Sequence, residues 1–85
     1  MKTIYKYPIE ITDSQEIQLP VNAEVIHAGL DPQGEPCVWA TVDNQNEAES
    51  VTVLVLGTGH PIPDRARRHV SSFNQGPFVW HIFIG

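Results

Sequence analysis

The sequence predicts an all-β fold, a small antiparallel sandwich or barrel-like meander of about six to seven strands. Three observations carry that prediction. Valine and isoleucine supply 17 of the 35 apolar side chains, and these residues favour the pleated strand over the helix. Apolar positions recur every second residue along most of the chain, the period of a half-buried strand. Seven prolines and six glycines interrupt the 85 residues at short intervals, and turn residues return every 8–12 positions. A chain of this length forms one domain spanning 1–85, with an expected radius of gyration of roughly 12 Å.

Each element follows from its local pattern. Tyr5, Tyr7, Ile9 and Ile11 alternate with Lys6, Pro8 and Glu10, and Pro8 cannot donate to a ladder, so this strand belongs at an edge or a bulge. Thr12-Asp13-Ser14 is a turn, and Gln15–Leu19 is a short strand stopped by Pro20. Glu24–Leu30 and Cys37–Val42 form a hairpin across Asp31-Pro32-Gln33-Gly34, with proline at the second turn position. Residues 43–50 are polar and acidic and read as a solvated loop. Val51–Leu56 is apolar on both faces, which predicts a central strand covered on both sides. Arg67–Asn74 and Phe78–Ile84 flank Gln75-Gly76-Pro77 as a second hairpin, and the last strand sets Phe78, Trp80, Ile82 and Ile84 on one face with Val79, His81 and Phe83 on the other. No ten-residue stretch carries helical periodicity. Pro61 and Pro63 bar a helix before Ala66–Ser72, where one or two helical turns have room. So small a core predicts a homo-oligomer, joined through an edge or through the Phe78–Phe83 strand.

Charge and cysteine content narrow the function classes. The net charge of −5 is unevenly distributed. Residues 1–50 carry nine acids against two lysines, a net of −7, while residues 51–85 carry three arginines against Asp64, a net of +2. Non-specific nucleic-acid binding needs a cationic surface, so no nucleic-acid partner is expected. The single cysteine, Cys37, excludes an internal disulfide and a cysteine-based zinc site. Neither a signal-peptide core nor a membrane-spanning run is present, and a bacterial cytoplasmic setting with no membrane contact is the expectation.

The segment from Gly57 to His69 stands out. Two glycines around Thr58 permit positive φ and can present N–H groups to an anion, and Thr58 adds a hydroxyl donor. Arg65, Arg67, Arg68, His60 and His69 follow, and arginine matches phosphate geometry with parallel donors. In an extended chain Arg65, Arg67 and His69 project to one side and Arg68 to the other. The candidate ligand-binding set is therefore Thr58, Gly59, His60, Arg65, Arg67, Arg68 and His69, with Trp80 as the flat partner for a base. The bland alternative is that the arginines are solvated or paired with the acidic half. The spacing is neither a P-loop nor a dinucleotide fingerprint. His27, His60, His69 and His81 with Asp64 match no metal-ligand spacing, and hydrogen-bonded structural roles are expected for His27 and His81. Ser71, Ser72 and Cys37 lack a nucleophile signature, so no metal, cofactor or catalytic residue is expected.

The opening Lys2-Thr3-Ile4-Tyr5-Lys6-Tyr7, the Gly57-Thr58-Gly59-His60 stretch and the closing Phe78-Val79-Trp80-His81 resemble a family of small phage and prophage proteins of unknown function. The resemblance implies a phage accessory protein in the host bacterial cytoplasm and carries no catalytic residue with it. The expected function is sequestration of a small phosphorylated, nucleotide-type ligand by a homo-oligomer, as an anti-defence protein. The alternative is an inhibitor that binds a host defence or polymerase protein through its acidic surface.

Overall fold

A computed structural model describes residues 1–85 as seven strands with no helix. They are β1 (Lys2–Pro8), β2 (Ser14–Pro20), β3 (Glu24–Leu30), β4 (Pro36–Asp43), β5 (Ala48–Gly57), β6 (Arg68–Gln75) and β7 (Phe78–Ile84). Two antiparallel sheets pack face to face, one ordered β1-β4-β3 and the other β2-β5-β7-β6. The radius of gyration is 12.7 Å, close to the value expected from length. No helix is long and apolar enough to cross a membrane.

The period-two pattern sorts side chains as the sequence implies. Val38, Ala40 and Val42 of β4 face Val53 and Val55 of β5 and Ile82 of β7, all buried. Trp80 and Ile84 pack against this cluster from the same face of β7 as Ile82. β1 is an edge strand ending at Pro8, as a proline without a donor requires. The inward phase continues past it to Ile9, whose N–H reaches Pro36 O at 3.0 Å. β5 is the doubly covered strand: Leu54 and Leu56 point away from the main core yet are only 0% and 7% exposed. The segment after β5 folds over that outer face.

The structure departs from the sequence reading in three places. Ala48–Ser50 belong to β5 rather than to a loop, because the ladder of β2 continues to Pro20 and pairs Pro20 with Ala48. All three side chains are exposed, so the pattern there carries no strand signal. Ala66–Ser72 contains no helical turn; Arg67 N bonds Ile84 O at 2.9 Å and the chain enters β6 directly. The Phe78–Phe83 strand lies inside its sheet between β5 and β6, so its ladder is filled on both sides.

Turn chemistry sets both hairpins. Gly76 takes φ 56° ahead of Pro77, giving a two-residue connection with Gln75 opposite Phe78. In the β3–β4 turn Gly34 N bonds Asp31 O at 2.8 Å, and Gly34 takes φ 83°. The Asp31 carboxylate accepts from Glu35 N and Gln33 N, both at 2.9 Å, and pairs with Lys6 Nζ at 2.9 Å. These bonds, led by the Glu35 amide, hold its pKa down to about 2. Cys37 lies buried beneath this turn, where burial pushes its thiol pKa up and keeps it protonated.

The sheets are joined at one side by side chains rather than by a ladder. β3 and β6 are edge strands, and each carries a bulge, at Ile26 and at Val70. Arg68 Nη2 donates to Val25 O at 2.7 Å. Ser71 Oγ accepts from Ala28 N at 2.8 Å and donates to Ala28 O at 2.7 Å. Ser71 thus satisfies both edge groups of a buried backbone residue.

Replacing Ser71 with Ala leaves those groups unpaired and is expected to lower stability by about 1–3 kcal/mol in urea unfolding. For Asp31 the folded pKa lies below its ordinary value of 3.8, so its stabilising contribution is present above that pH and is lost as pH falls toward 2. Thermal melts of Asp31→Asn and the unchanged protein are expected to differ most near neutral pH and to converge near pH 2.

Candidate functional site

β5 ends at Gly57, and the chain turns at once through Thr58 and Gly59. His60 N closes the turn on Gly57 O at 3.1 Å, and Gly59 takes φ 89°, a conformation a side chain resists. Gly57 is needed for a different reason. The His60 ring folds back over it, Nδ1 accepting from Gly57 N at 3.2 Å, and a Cβ there would lie 2.9 Å from the ring. The N–H groups of Thr58 and Gly59 donate to no protein atom and project as adjacent free donors.

Two cavities flank this turn. One, of about 380 Å³, is lined by Thr58, Gly59, His60, His69 and His81, with apolar walls from Leu56, Ile62 and Phe83. The other, of about 450 Å³, lies between Thr58 and His60 on one side and Phe78, Val79 and Trp80 on the other. Neither is lined by a carboxylate. A neighbouring hollow of about 410 Å³ shares Leu56 and His60 and holds Arg65, with Asp13 also on its wall.

The predicted residues divide between these places. Thr58, Gly59, His60 and His69 converge on one cavity. Arg65 flanks it through the neighbouring hollow, and Arg67 is exposed close by in sequence. Neither arginine is in an ion pair, since the two salt bridges are Met1–Asp43 and Lys6–Asp31. Pairing with the acidic half therefore does not occupy them. Arg68 is not part of the site: it faces the other sheet, as strand alternation against His69 requires, and its guanidinium is held by Val25 O. Trp80 is half-buried on the core side of β7, and its indole N–H bonds Gln75 Oε1 at 3.1 Å. Its ring stacks on Phe78 with centroids 5.5 Å apart and planes at 21°. Phe78, at 56% exposed, presents the open aromatic face.

Sequence reasoning left out His81, Ser72 and Phe78. His81 Nε2 is 2.7 Å from Thr58 Oγ, and its Nδ1 is 2.6 Å from Ser72 Oγ. Ser72 Oγ is in turn 3.0 Å from His69 Nε2, and the His69 ring packs on Phe83 at 5.1 Å. The expected hydrogen-bonded role for His81 is present, but its partners belong to the candidate site. The sequence reading places Gln75 in the loop, which would set Ser71 opposite His81; the two-residue turn at Gly76-Pro77 draws Gln75 into β6 and sets Ser72 there instead. Chemically the set offers hydroxyl, imidazole and amide donors to an anion, beside an aromatic surface. No group of three His, Cys, Asp or Glu side chains converges to hold a metal ion.

A family model for a domain of unknown function, DUF7352, matches residues 1–85. The chain belongs to that family. No curated protein and no solved structure matches it. The DUF7352 description assigns no reaction or ligand, so the chemistry of the site rests on its geometry.

In this DUF7352 domain Gly59→Ala is expected to cost about 1–2 kcal/mol in urea unfolding, because alanine resists positive φ. The added methyl meets nothing within 4 Å, so the cost comes from the backbone alone.

Proposed function

We propose that this protein binds and retains a small phosphorylated, nucleotide-type ligand at the Thr58–Gly59 turn. The observation that carries the reading is the placement of two free, adjacent N–H groups between a three-histidine cavity and an aromatic one. A phosphate at the turn would accept from these amides and from the Thr58 hydroxyl. Arg65 and Arg67, uncommitted to any carboxylate, supply the countercharge. A base would stack on the exposed face of Phe78, which Trp80 supports from behind. The role is retention rather than turnover. A homo-oligomer suits it, given the exposed Ile4, Ile62, Phe78 and Val79 and the open edges of β1 and β2. The resemblance of the opening, turn and closing motifs to small phage proteins supports an accessory, anti-defence setting, in which the captured ligand is a host signalling nucleotide.

A second reading has its own support. Glu10, Glu16, Glu24, Glu47 and Glu49 are exposed and in no ion pair, an acidic surface suited to a basic protein partner.

Mass spectrometry of small molecules released by heating the purified protein is expected to find a nucleotide, and calorimetric titration with that nucleotide supplies the affinity. Phe78→Ala is expected to weaken binding by about tenfold or more, the loss of one stacking contact. The Arg65→Ala, Arg67→Ala double variant is expected to weaken it by at least about tenfold with no change in fold. Arg68→Ala is expected to lower stability with little effect on intrinsic affinity. An empty protein that captures a stoichiometric basic partner would favour the second reading, and release of a reaction product would replace retention with catalysis.

A further inference from the structure

Thr58, His81, Ser72 and His69 come from three segments and form one unbroken chain of hydrogen bonds of 2.7, 2.6 and 3.0 Å. Each neutral imidazole has one donor nitrogen and one acceptor, and each hydroxyl has one proton to give. Three arrangements satisfy every link: two run in one direction throughout, and in the third Ser72 Oγ accepts from His81 Nδ1–H and His69 Nε2–H at once and gives its own proton to solvent. In the inward one, Thr58 O–H donates to His81 Nε2, His81 Nδ1–H to Ser72 Oγ, and Ser72 O–H to His69 Nε2. In the outward one, His69 Nε2–H donates to Ser72 Oγ, Ser72 O–H to His81 Nδ1, and His81 Nε2–H to Thr58 Oγ. Only the outward arrangement frees the Thr58 proton for a ligand. The inward one presents Thr58 lone pairs to the cavity, where they repel an anion.

We propose that an anion at the Thr58–Gly59 turn locks this relay into its outward direction, with Ser72 as a positioning residue. The inference rests on the anion-binding reading and deepens it. An anion held by the free amides selects the outward direction, because the Thr58 hydroxyl must then donate to it. Both imidazoles thereby become Nε2–H tautomers together. The protons balance: each link passes one proton along, His69 Nδ1 gives one to solvent and Thr58 Oγ takes one up, with no net change. Ser72 lines neither flanking cavity and acts only through the two rings. Because its hydroxyl has a single proton, Ser72 can donate to His81 Nδ1 only while accepting from His69 Nε2–H, so the outward state requires Nε2–H on both rings.

The test is long-range proton–nitrogen NMR of the imidazoles in uniformly ¹⁵N-labelled full-length protein, with inorganic phosphate as the probe. It is run at a pH above the ordinary histidine range so that neutral rings are compared. Saturating phosphate is expected to show Nε2–H on both His81 and His69. Ser72→Ala is expected to leave His69 without that response and to weaken phosphate binding by about three- to tenfold, as the loss of one relay bond. Ser72→Thr, which keeps the hydroxyl, is expected to restore both. Ser72 is exposed on the outer face of the sheet, so either variant should fold. An Nδ1–H tautomer on either ring in the phosphate-bound state, a doubly protonated His81, or an unchanged His69 response in Ser72→Ala would each overturn the proposal. If phosphate does not bind, the anion-binding reading and the ligand-driven switch fall together. Phosphate that binds with any other pair of tautomers overturns the relay alone and leaves the anion-binding reading standing.

Discussion

Two β-bulges determine where the functional groups of this domain lie. A strand that alternates strictly puts residues three apart on opposite faces. Arg68 and Ser71 are three apart and both reach the opposing sheet, and His69 and Ser72 are three apart and both face outward. The bulge at Val70 shifts the phase by one residue between the members of each pair. On β3 the bulge at Ile26 does the same for Val25 and Ala28, which offer their backbone groups to Arg68 and Ser71. The seam that closes the sandwich and the outer half of the hydrogen-bond chain therefore depend on the same inserted residue. Removing the bulge would turn Ser71 and Ser72 about, opening the seam and breaking the contact between His69 and Ser72.

The second constraint is the apolar load on β5. Val53 and Val55 fill the space between the sheets, while Leu54 and Leu56 need cover on the other side. With no helix in the chain, the proline-punctuated segment after Gly57 supplies it. Its path along the outer face places His60 and Ile62 beside His69, His81 and Phe83. The cavity is thus a consequence of covering a strand that is apolar on both faces. A core of this size leaves little spare apolar surface, so the walls of any site must come from a loop lying on a sheet.

Strand count, both hairpins and the doubly covered β5 were legible because each depends on neighbouring residues: side-chain alternation, a glycine with positive φ, a proline that stops a ladder. The Ser72–His81 pair was not, since counting Gln75 in the loop shifts the register by one, and only the two-residue connection at Gly76-Pro77 sets Ser72 opposite His81. Beyond that register the chain gives no warning. Neither Val70 nor Ile26 carries a glycine or proline to mark a bulge, because the cause lies in the opposing sheet and not in local propensity. Arg68 joins Arg65 and Arg67 by charge alone: alternation already sets it on the opposite side, where a buried carbonyl holds its guanidinium. Ala48–Ser50 escaped notice because β2 dictates their pairing while their own side chains stay in water. Trp80 is a flat ring on the strand paired with the arginine-bearing one, yet it is Phe78, on the same face at the end of β7, whose ring stays exposed.

An anion site in a chain of net charge −5 needs a physical account. The two carboxylates that are paired, Asp31 and Asp43, are neutralised by Lys6 and the N-terminal amine, at a distance from the candidate turn in both sequence and sheet. The remaining acids are largely exposed, and at physiological ionic strength their field decays over about 8 Å. Within that distance the local groups decide: two free amides, a hydroxyl and the flanking Arg65, with no carboxylate on either cavity wall and Asp13 beside Arg65 in the neighbouring hollow. The long-range field then acts as a filter on size. A nucleic acid laid along the acidic surface would be repelled at each phosphate, whereas the proposed small anion would meet only the turn. On the proposed reading the same imbalance of charge disfavours a polymer and leaves room for a small phosphorylated molecule, although the two charge classes meet where Asp13 shares a hollow with Arg65.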